Sequence, residues 1–202
     1  MLGSLKENGI HLEHVDIGGG VGVRYKDETP PTFAEYMREV DRVIGPDFPY
    51  TIIVEPGRSI VANAGLLMTR VEYIKATPDK HFVVVDAAMN DLIRPALYQS
   101  YHEIAPLVHR SNVAERVYDV VGPVCESADF LGKNRKLIVA EGDFLVVKSA
   151  GAYGFTMSSN YNTRPRAAEV LVYQKTSQLL RPREDVAALF LSEKVCSIFP
   201  KL

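Results

Sequence analysis

Apolar and polar residues in the first 65 positions follow two different periods. Short apolar runs at residues 14–17 and 51–54 predict buried strands, and the first run ends in three glycines, which predict a tight loop. Between the two runs, a helical repeat begins after Thr32, a candidate N-cap, and stops at Gly45-Pro46; its apolar members are Phe33, Tyr36, Met37, Val40, Val43 and Ile44. This order predicts a parallel α/β unit with Gly20 and Gly57 at the carboxyl ends of its strands.

The pattern changes to a β type after residue 66. Runs rich in Val, Ile, Leu and Tyr occupy residues 67–74, 81–85, 116–121, 143–147 and 169–173. Turn signals at 78–79, 132–134 and 141–143 separate them, and a short helix begun by Pro182 is predicted over 181–188. We therefore predict two domains, residues 1–65 and residues 66–202.

Composition narrows the class of protein. A formal net charge of -2 gives no electrostatic reason to expect a nucleic-acid partner. No run approaches the roughly 20 apolar residues that cross a bilayer, and the first residues lack the pattern of an export signal. The only cysteines are Cys125 and Cys196, too few for a disulfide framework, so we expect a cytoplasmic protein.

Two motifs at predicted strand ends have the chemistry of a site that binds an anionic ligand. Gly18, Gly19 and Gly20 let backbone N–H groups approach an anion such as phosphate. A glycine triplet alone is more often a tight strand exit, but the sequence Glu-Pro-Gly-Arg at 55–58 follows the neighbouring strand. The less favoured alternative is that Glu55 and Arg58 form a structural ion pair there.

Two further motifs carry a carboxylate-binding pair and a thiol. Arg94 and Tyr98 are four residues apart, so on a helical turn both would face one way and could hold one carboxylate. Such a pair is more often a surface contact. Residues 122–129 read Gly-Pro-Val-Cys-Glu-Ser-Ala-Asp, and a cysteine thiol, mostly protonated at neutral pH, can give a proton. A lone cysteine is more often buried and inert.

In this order the motifs resemble those of the diaminopimelate decarboxylases, fold type III enzymes that use pyridoxal 5'-phosphate. The resemblance covers nearly the whole chain. It implies an α/β plus β fold, in which residues 1–65 are the incomplete end of an alanine-racemase-like TIM barrel, (β/α)8, and residues 66–202 a Greek-key β-barrel or sandwich. It also implies the decarboxylation of meso-2,6-diaminopimelate to L-lysine, the last step of lysine biosynthesis.

Residue roles follow from the same resemblance. Cys125 is the implied proton donor to the carbon that has lost its carboxyl group. The implied cofactor contacts are Gly19, Gly20, Glu55, Gly57, Arg58 and Tyr153, with Glu55 at the pyridine nitrogen. The implied substrate contacts are Arg58, Arg94, Tyr98, Glu126 and Tyr153. Family homodimers share their active sites, because the segment with the cysteine and glutamate reaches the partner subunit.

One family feature has no counterpart in this sequence. The lysine that holds the cofactor lies in a pattern like Ala-x-Lys-Ala-Asn, and neither Lys75 nor Lys148 matches it. We therefore expect a C-terminal portion that is inactive alone. Two alternatives stay open: a related decarboxylase of another basic amino acid or carboxylated polyamine precursor, and a non-catalytic partner of a complete enzyme. The histidines His11, His14, His81, His102 and His109 show no metal-ligand spacing.

Overall fold

The first part of the chain forms the predicted α/β unit. A computed structural model describes residues 1–194. Helix α1 (Leu2–Glu7) precedes strand β1 (His14–Asp16), helix α2 (Phe33–Ile44) and strand β2 (Thr51–Ile53). The two strands pair in parallel, with Val15 opposite Ile52. The parallel arrangement that the strand, helix, strand order predicts is therefore confirmed.

Helix α2 begins and ends where its sequence signals lie. The Thr32 hydroxyl accepts the Glu35 backbone N–H at 3.2 Å, and the Glu35 carboxylate accepts the Thr32 N–H at 2.8 Å, which completes a capping box. Gly45 ends the helix at φ 78°. The prediction that β1 and β2 are buried is wrong: each strand has exposed residues at both ends and a half-buried centre, and α2 has no buried residue. An apolar run shows which side chains favour burial, not that other chain covers them.

The larger part of the chain is one mixed sheet. Helix α3 (Gly57–Val61) and a 3-10 turn (Ala62–Ala64) lead into it. Its strands are β3 (Leu67–Ala76), β4 (His81–Val85), β5 (Ile104–Pro106), β6 (Arg116–Val121), β7 (Phe130–Leu137) and β8 (Phe144–Val147). They lie in the order β5-β8-β3-β4-β6-β7, and helix α4 (Arg94–Tyr98) lies between β4 and β5 in sequence. Only β4 and β6 pair in parallel within this sheet.

The sheet curls until its two edge strands meet. Strands β5 and β7 contact each other, and a Cβ placed on Gly132 of β7 would lie 2.9 Å from the Ile104 side chain of β5. The fold is therefore a mixed, nearly closed, barrel-like sheet. Its interior is a single apolar cluster that includes Val71, Leu131 and Leu145, all fully buried.

Two local predictions in the sheet region are wrong. Residues 132–134, predicted as a turn, lie inside β7, where the pairing with β6 shifts register and Asn134 takes a φ of 53°. The turn-forming residues thus mark an irregularity within a strand. The helix predicted over 181–188 is also absent, because strand β10 (Thr176–Arg181) occupies its start and a 3-10 turn begins only at Ala187.

The last described elements form an exposed hairpin. Strand β9 (Glu169–Tyr173) pairs antiparallel with β10, and a 3-10 turn (Ala187–Phe190) follows. No helix within residues 1–194 is long and apolar enough to cross a membrane.

A close backbone contact joins the α3 region to the loop after β8. The Gly151 N–H donates to the Ala62 carbonyl at 3.0 Å, and the Ala150 N–H donates to the Gly65 carbonyl at 2.9 Å. A Cβ on Gly65 would lie 2.5 Å from the Gly151 Cα, and a Cβ on Gly151 would overlap the Val61 carbonyl. Both positions therefore require glycine.

Candidate active site

A cavity of about 330 Å³ lies at the carboxyl ends of β1 and β2. The residues that line it are Gly19, Gly20, Val21, Glu55, Pro56, Gly57, Arg58, Ser59 and Tyr153. All six residues predicted as cofactor contacts are in this set. The loop after β8 thus meets the ends of both strands at one concave site, the kind of place where ligands bind in α/β folds.

The loops that follow the two strands are bonded to each other. The Gly18 N–H donates to the Asp16 carboxylate at 2.6 Å, and the Gly18 carbonyl accepts the Glu55 N–H at 3.0 Å. Gly20 has a φ of 68°, a conformation that favours glycine. A Cβ on Gly19 would overlap the Glu55 carbonyl. Glycine is therefore needed for the loops to come this close and leave backbone at the cavity wall.

Two charged side chains at the cavity have no partner in the described part of the chain. Glu55 is exposed and Arg58 is half-buried. Within residues 1–194, neither side chain makes a hydrogen bond or a salt bridge, so the predicted alternative of a structural ion pair between them is not formed. One carboxylate and one guanidinium thus stay available to a ligand with both a basic nitrogen and anionic oxygens. This donor set, with glycine backbone beside it, fits pyridoxal phosphate.

Tyr153 connects this cavity to a second group of side chains. Its φ of 61° is unusual for a bulky residue and holds the ring at the cavity wall. The same ring lies 5.5 Å from the guanidinium carbon of Arg94. The two predicted binding regions are therefore neighbours that share one tyrosine.

Arg94 is a buried cation surrounded by aromatic rings. Arg94 is the first residue of α4 and is only 8% exposed. Its guanidinium carbon lies 5.8 Å from the centre of the Tyr25 ring and 5.6 Å from the centre of the Tyr98 ring. Its only side-chain hydrogen bond in residues 1–194 goes to the Ser100 hydroxyl at 3.3 Å, and its Nε has no partner there. Cation–π contacts stabilise the guanidinium but leave its charge unneutralised, so an anion is the ligand that it lacks.

His102 supports this group from inside the sheet region. It is fully buried, and its ring meets the Tyr25 ring edge to face at 5.2 Å. Burial lowers the pKa of His102, and the positive charges of Arg94 and Arg135 lower it further. Its Nδ1 lies 2.9 Å from the Lys148 carbonyl, which can only accept, so the neutral ring carries its proton on Nδ1. A third positive charge is thereby kept away from Arg94.

Cys125 and Glu126 lie apart from the cavity. Both are exposed on the loop between β6 and β7, and neither is among the residues that line the cavity. The Glu126 carboxylate is 3.5 Å from the Tyr161 hydroxyl, and Cys125 is a free thiol. The alternative of a buried, inert cysteine does not hold here, since Cys125 is exposed. The single chain does not bring these two residues to Glu55 and Arg58.

Comparison with known proteins assigns the family. The model for the C-terminal sheet domain of pyridoxal-dependent decarboxylases matches residues 16–151. The chain belongs to the pyridoxal-dependent decarboxylases.

Relatives of this chain include proteins named diaminopimelate decarboxylase. The one from Vibrio cholerae is 54% identical over 195 residues, which are 96% of this chain and 46% of the relative. The one from Pseudomonas aeruginosa is 55% identical over 96% of this chain and 46% of its own length. The crystal structure of diaminopimelate decarboxylase from Helicobacter pylori complexed with L-lysine has a TM-score of 0.84 and 40% identity over 94% of this chain and 46% of that chain. The chain spans about half the length of the curated relatives it matches.

Some residues of this candidate site carry no signal in the sequence. Tyr25 and His102 join Arg94 only through the fold, since they lie far from it in sequence or outside its helix. Arg164 donates to the Asn90 side chain at 2.8 Å and so fixes the turn before α4. No motif spacing links these positions. No group of His, Cys, Asp and Glu within residues 1–194 could hold a metal ion.

Proposed function

We propose that this chain forms part of a decarboxylase that converts meso-2,6-diaminopimelate to L-lysine with pyridoxal phosphate as cofactor. The observation that carries the proposal is the cavity in which the six expected cofactor contacts meet. The Tyr153 ring of this cavity also contacts the guanidinium of Arg94, which has no carboxylate partner within residues 1–194. The relatives with about 54–55% identity bear the name of this activity.

In this proposal the cavity holds the cofactor by both ends. Backbone N–H groups of Gly19 and Gly20 would contact the phosphate, and Glu55 would keep the pyridine nitrogen protonated. Gly57 would lie beside the cofactor without donating to it, because its N–H is bonded to the Glu55 carbonyl at 2.8 Å. Arg58 and Tyr153 contact the phosphate or the substrate. Pyridoxal phosphate, when bound, supplies an electron sink for the electron pair that departing carbon dioxide leaves behind. The lysine that would bind the cofactor covalently is expected in the part of the relatives that this chain does not cover.

Arg94 and Tyr98 recognise the far carboxylate of the substrate. A buried guanidinium without a counter-charge disfavours a substrate whose far end bears only an ammonium, such as ornithine. Diaminopimelate has a carboxylate and an ammonium on the same distal carbon. Glu126 is the proposed partner of that ammonium, so the pair of charges on the protein matches the pair on the substrate.

Cys125 provides the proton that completes the reaction. The bond between the α-carbon and the leaving carboxylate breaks, the S–H bond of Cys125 breaks, and a C–H bond forms in place of the lost carboxyl group. The thiolate then regains a proton from water. Because Cys125 and Glu126 are exposed and outside the cavity of their own chain, we propose that they enter the cavity of a second copy in a homodimer.

The test is to express this chain together with the part of the Vibrio cholerae relative that it does not match, and to measure L-lysine formed from meso-diaminopimelate. We expect lysine only when both parts are present. Cys125→Ala should lower kcat by about 100-fold, the typical share of one proton donor. Arg94→Ala should raise KM by about 10–100-fold, since one charge-assisted contact is lost.

Matched controls separate these effects from general damage. Cys196→Ser removes the other thiol, and Arg110→Ala removes an arginine that pairs with Asp143 away from the cavity. Both controls should keep KM and kcat. The proposal fails if a complex of the two parts binds pyridoxal phosphate but forms no lysine, or if it decarboxylates ornithine faster than diaminopimelate.

A further inference from the structure

The Asp129 carboxylate connects two loops that are far apart in sequence. It is only 4% exposed. One oxygen accepts the Met89 N–H at 2.7 Å, and the other accepts the Val124 N–H at 2.7 Å. The Asp129 carbonyl also accepts the Gly122 N–H at 3.2 Å. Both ends of the carboxylate are thus used, one on each loop.

The first loop, residues 86–92, leads directly into the helix that begins with Arg94. It is held from several directions: the Thr69 hydroxyl donates to Asp86 at 2.6 Å, and the Asp91 carboxylate accepts the Ala88 N–H at 2.9 Å. Arg164 donates to Asn90 at 2.8 Å. A fixed loop here means a fixed starting point for Arg94.

The second loop, residues 122–129, carries Cys125 and Glu126. The Asp129 carboxylate lies against Gly122, where no side chain would fit: a Cβ on Gly122 would overlap one Asp129 oxygen and lie 2.7 Å from the other. Val124, whose N–H is bound, is buried and immediately precedes the exposed Cys125. The carboxylate therefore holds the backbone next to the thiol without contacting the thiol itself.

We propose that Asp129 is a positioning residue that fixes the spacing between the Cys125–Glu126 loop and the Arg94 helix. A single rigid carboxylate bonded to Met89 on one side and Val124 on the other sets the relative position of both loops. In the proposed homodimer, Arg94 serves the cavity of its own chain, whereas Cys125 of the same chain enters the cavity of the second copy. The Asp129 link would therefore couple the two cavities. The inference rests on the proposed function only for what the loops do; the link itself does not depend on it.

The first experiment compares Asp129→Asn with Asp119→Asn in the 202-residue chain. Asp119 is a matched control because it is also buried and also accepts a backbone N–H, that of Asn134 at 2.8 Å, at another place in the sheet. In Asp129→Asn, an amide N–H₂ faces one of the two donors. Amide exchange at the residue whose N–H faces that group, Met89 or Val124, should therefore accelerate by about tenfold, while Asp119→Asn should leave both rates unchanged.

The thiol gives a second readout in a Cys196→Ser background, where only Cys125 reacts with iodoacetamide. Asp129→Asn should change the alkylation rate by about threefold or more, and Asp119→Asn should not. Equal changes in the two variants would reduce Asp129 to a stability residue and overturn the proposal. Unchanged exchange at both amides would show that the carboxylate does not hold either loop, and would also overturn it.

If Asp129→Asn does not fold, the unsubstituted chain decides the question. Scalar couplings through hydrogen bonds should connect the amide nitrogens of Met89 and Val124 to the Asp129 carboxyl carbon; absence of either coupling refutes the link. In the two-part assembly that tests the proposed function, Asp129→Asn should lower kcat more than it raises KM. If the unsubstituted assembly has no activity, the proposed function is contradicted. The amide-exchange and alkylation results then still test the Asp129 link by themselves.

Discussion

The sheet region and the α/β unit of this chain differ sharply in how they bury apolar side chains. The sheet has a continuous core in which Val71, Leu131 and Leu145 are fully buried. The α/β unit has a capped helix and two parallel paired strands, yet β1, β2 and α2 contain no buried residue. Val43 on α2 is 69% exposed.

The comparison separates two sources of order. Local signals such as the capping box and the glycine stop are sufficient to define α2. A core also requires other elements that pack against each apolar face. The sheet provides that chain by curling until β5 and β7 meet. The α/β unit still shapes the cavity, because its loops are bonded to each other and its α3 region is bonded to the loop after β8.

The largest expected difference between the regions concerns core packing. Leu131→Ala should lower the free energy of unfolding by about 2–5 kcal/mol, because a fully buried leucine leaves a cavity. Val43→Ala should change it by no more than about 0.5 kcal/mol, since the side chain is mostly in water. Urea unfolding followed by circular dichroism measures both. Similar losses in the two variants would mean that α2 is covered in solution.

A second, intermediate effect concerns the buried histidine of the sheet region. The pKa of His102 lies below its ordinary 6.5 in the folded state, so the unfolded chain binds the extra proton more readily. Its contribution to stability is therefore complete above pH 6.5 and is lost as pH falls through that value. The loss at pH 5 is at most about 2 kcal/mol, at about 1.4 kcal/mol per pH unit.

His102→Asn tests this assignment, because an asparagine amide can still donate to the Lys148 carbonyl but does not titrate in this range. Urea midpoints at pH 5 and pH 7 should differ less for His102→Asn than for the unsubstituted chain. His81→Asn serves as the control, since His81 is only half-buried and packs on Tyr118 rather than near Arg94. If the pH dependence is the same in all three, the histidine is not neutral in the fold.

The smallest effect concerns the local order of the α/β unit. Thr32→Ala removes the cap and should destabilise α2 by about 1 kcal/mol. Amide exchange at Glu35 should become faster, while exchange at Val83 in β4 should stay the same because the sheet has its own core. Thr32→Ser retains the hydroxyl and should retain the protection. An equal response at Val83 would mean that the two regions unfold as one unit.

The sequence allowed good prediction wherever the signal was local. The Thr32 cap and the Gly45-Pro46 stop defined α2, and runs rich in Val, Ile, Leu and Tyr located β4 and β6 at their observed bounds. Residues 132–134 misled, because their turn chemistry serves a register shift whose cause is the pairing of β7 with β6. Strand β5 has only three residues and ends in Pro106, a residue that argues against a strand, so its pairing with β8 was not predictable from its own pattern.

The candidate site shows the same division. Glycines at strand ends and the Glu55–Arg58 motif predicted residues that do line one cavity. The neutral His102 and the bridging Asp129 were not predictable, because their roles depend on which backbone groups the fold places beside them. Whether each predicted residue binds cofactor or substrate stays a prediction.

The paired glycines at 65 and 151 bear on how the cavity can move. Because two backbones touch there with no side chain between them, no rotamer change can widen the contact. The loop with Tyr153 and the chain from Val61 to Gly65 therefore move as one piece. Tyr153, two residues after Gly151, is therefore held in place at the cavity wall by a contact between backbones.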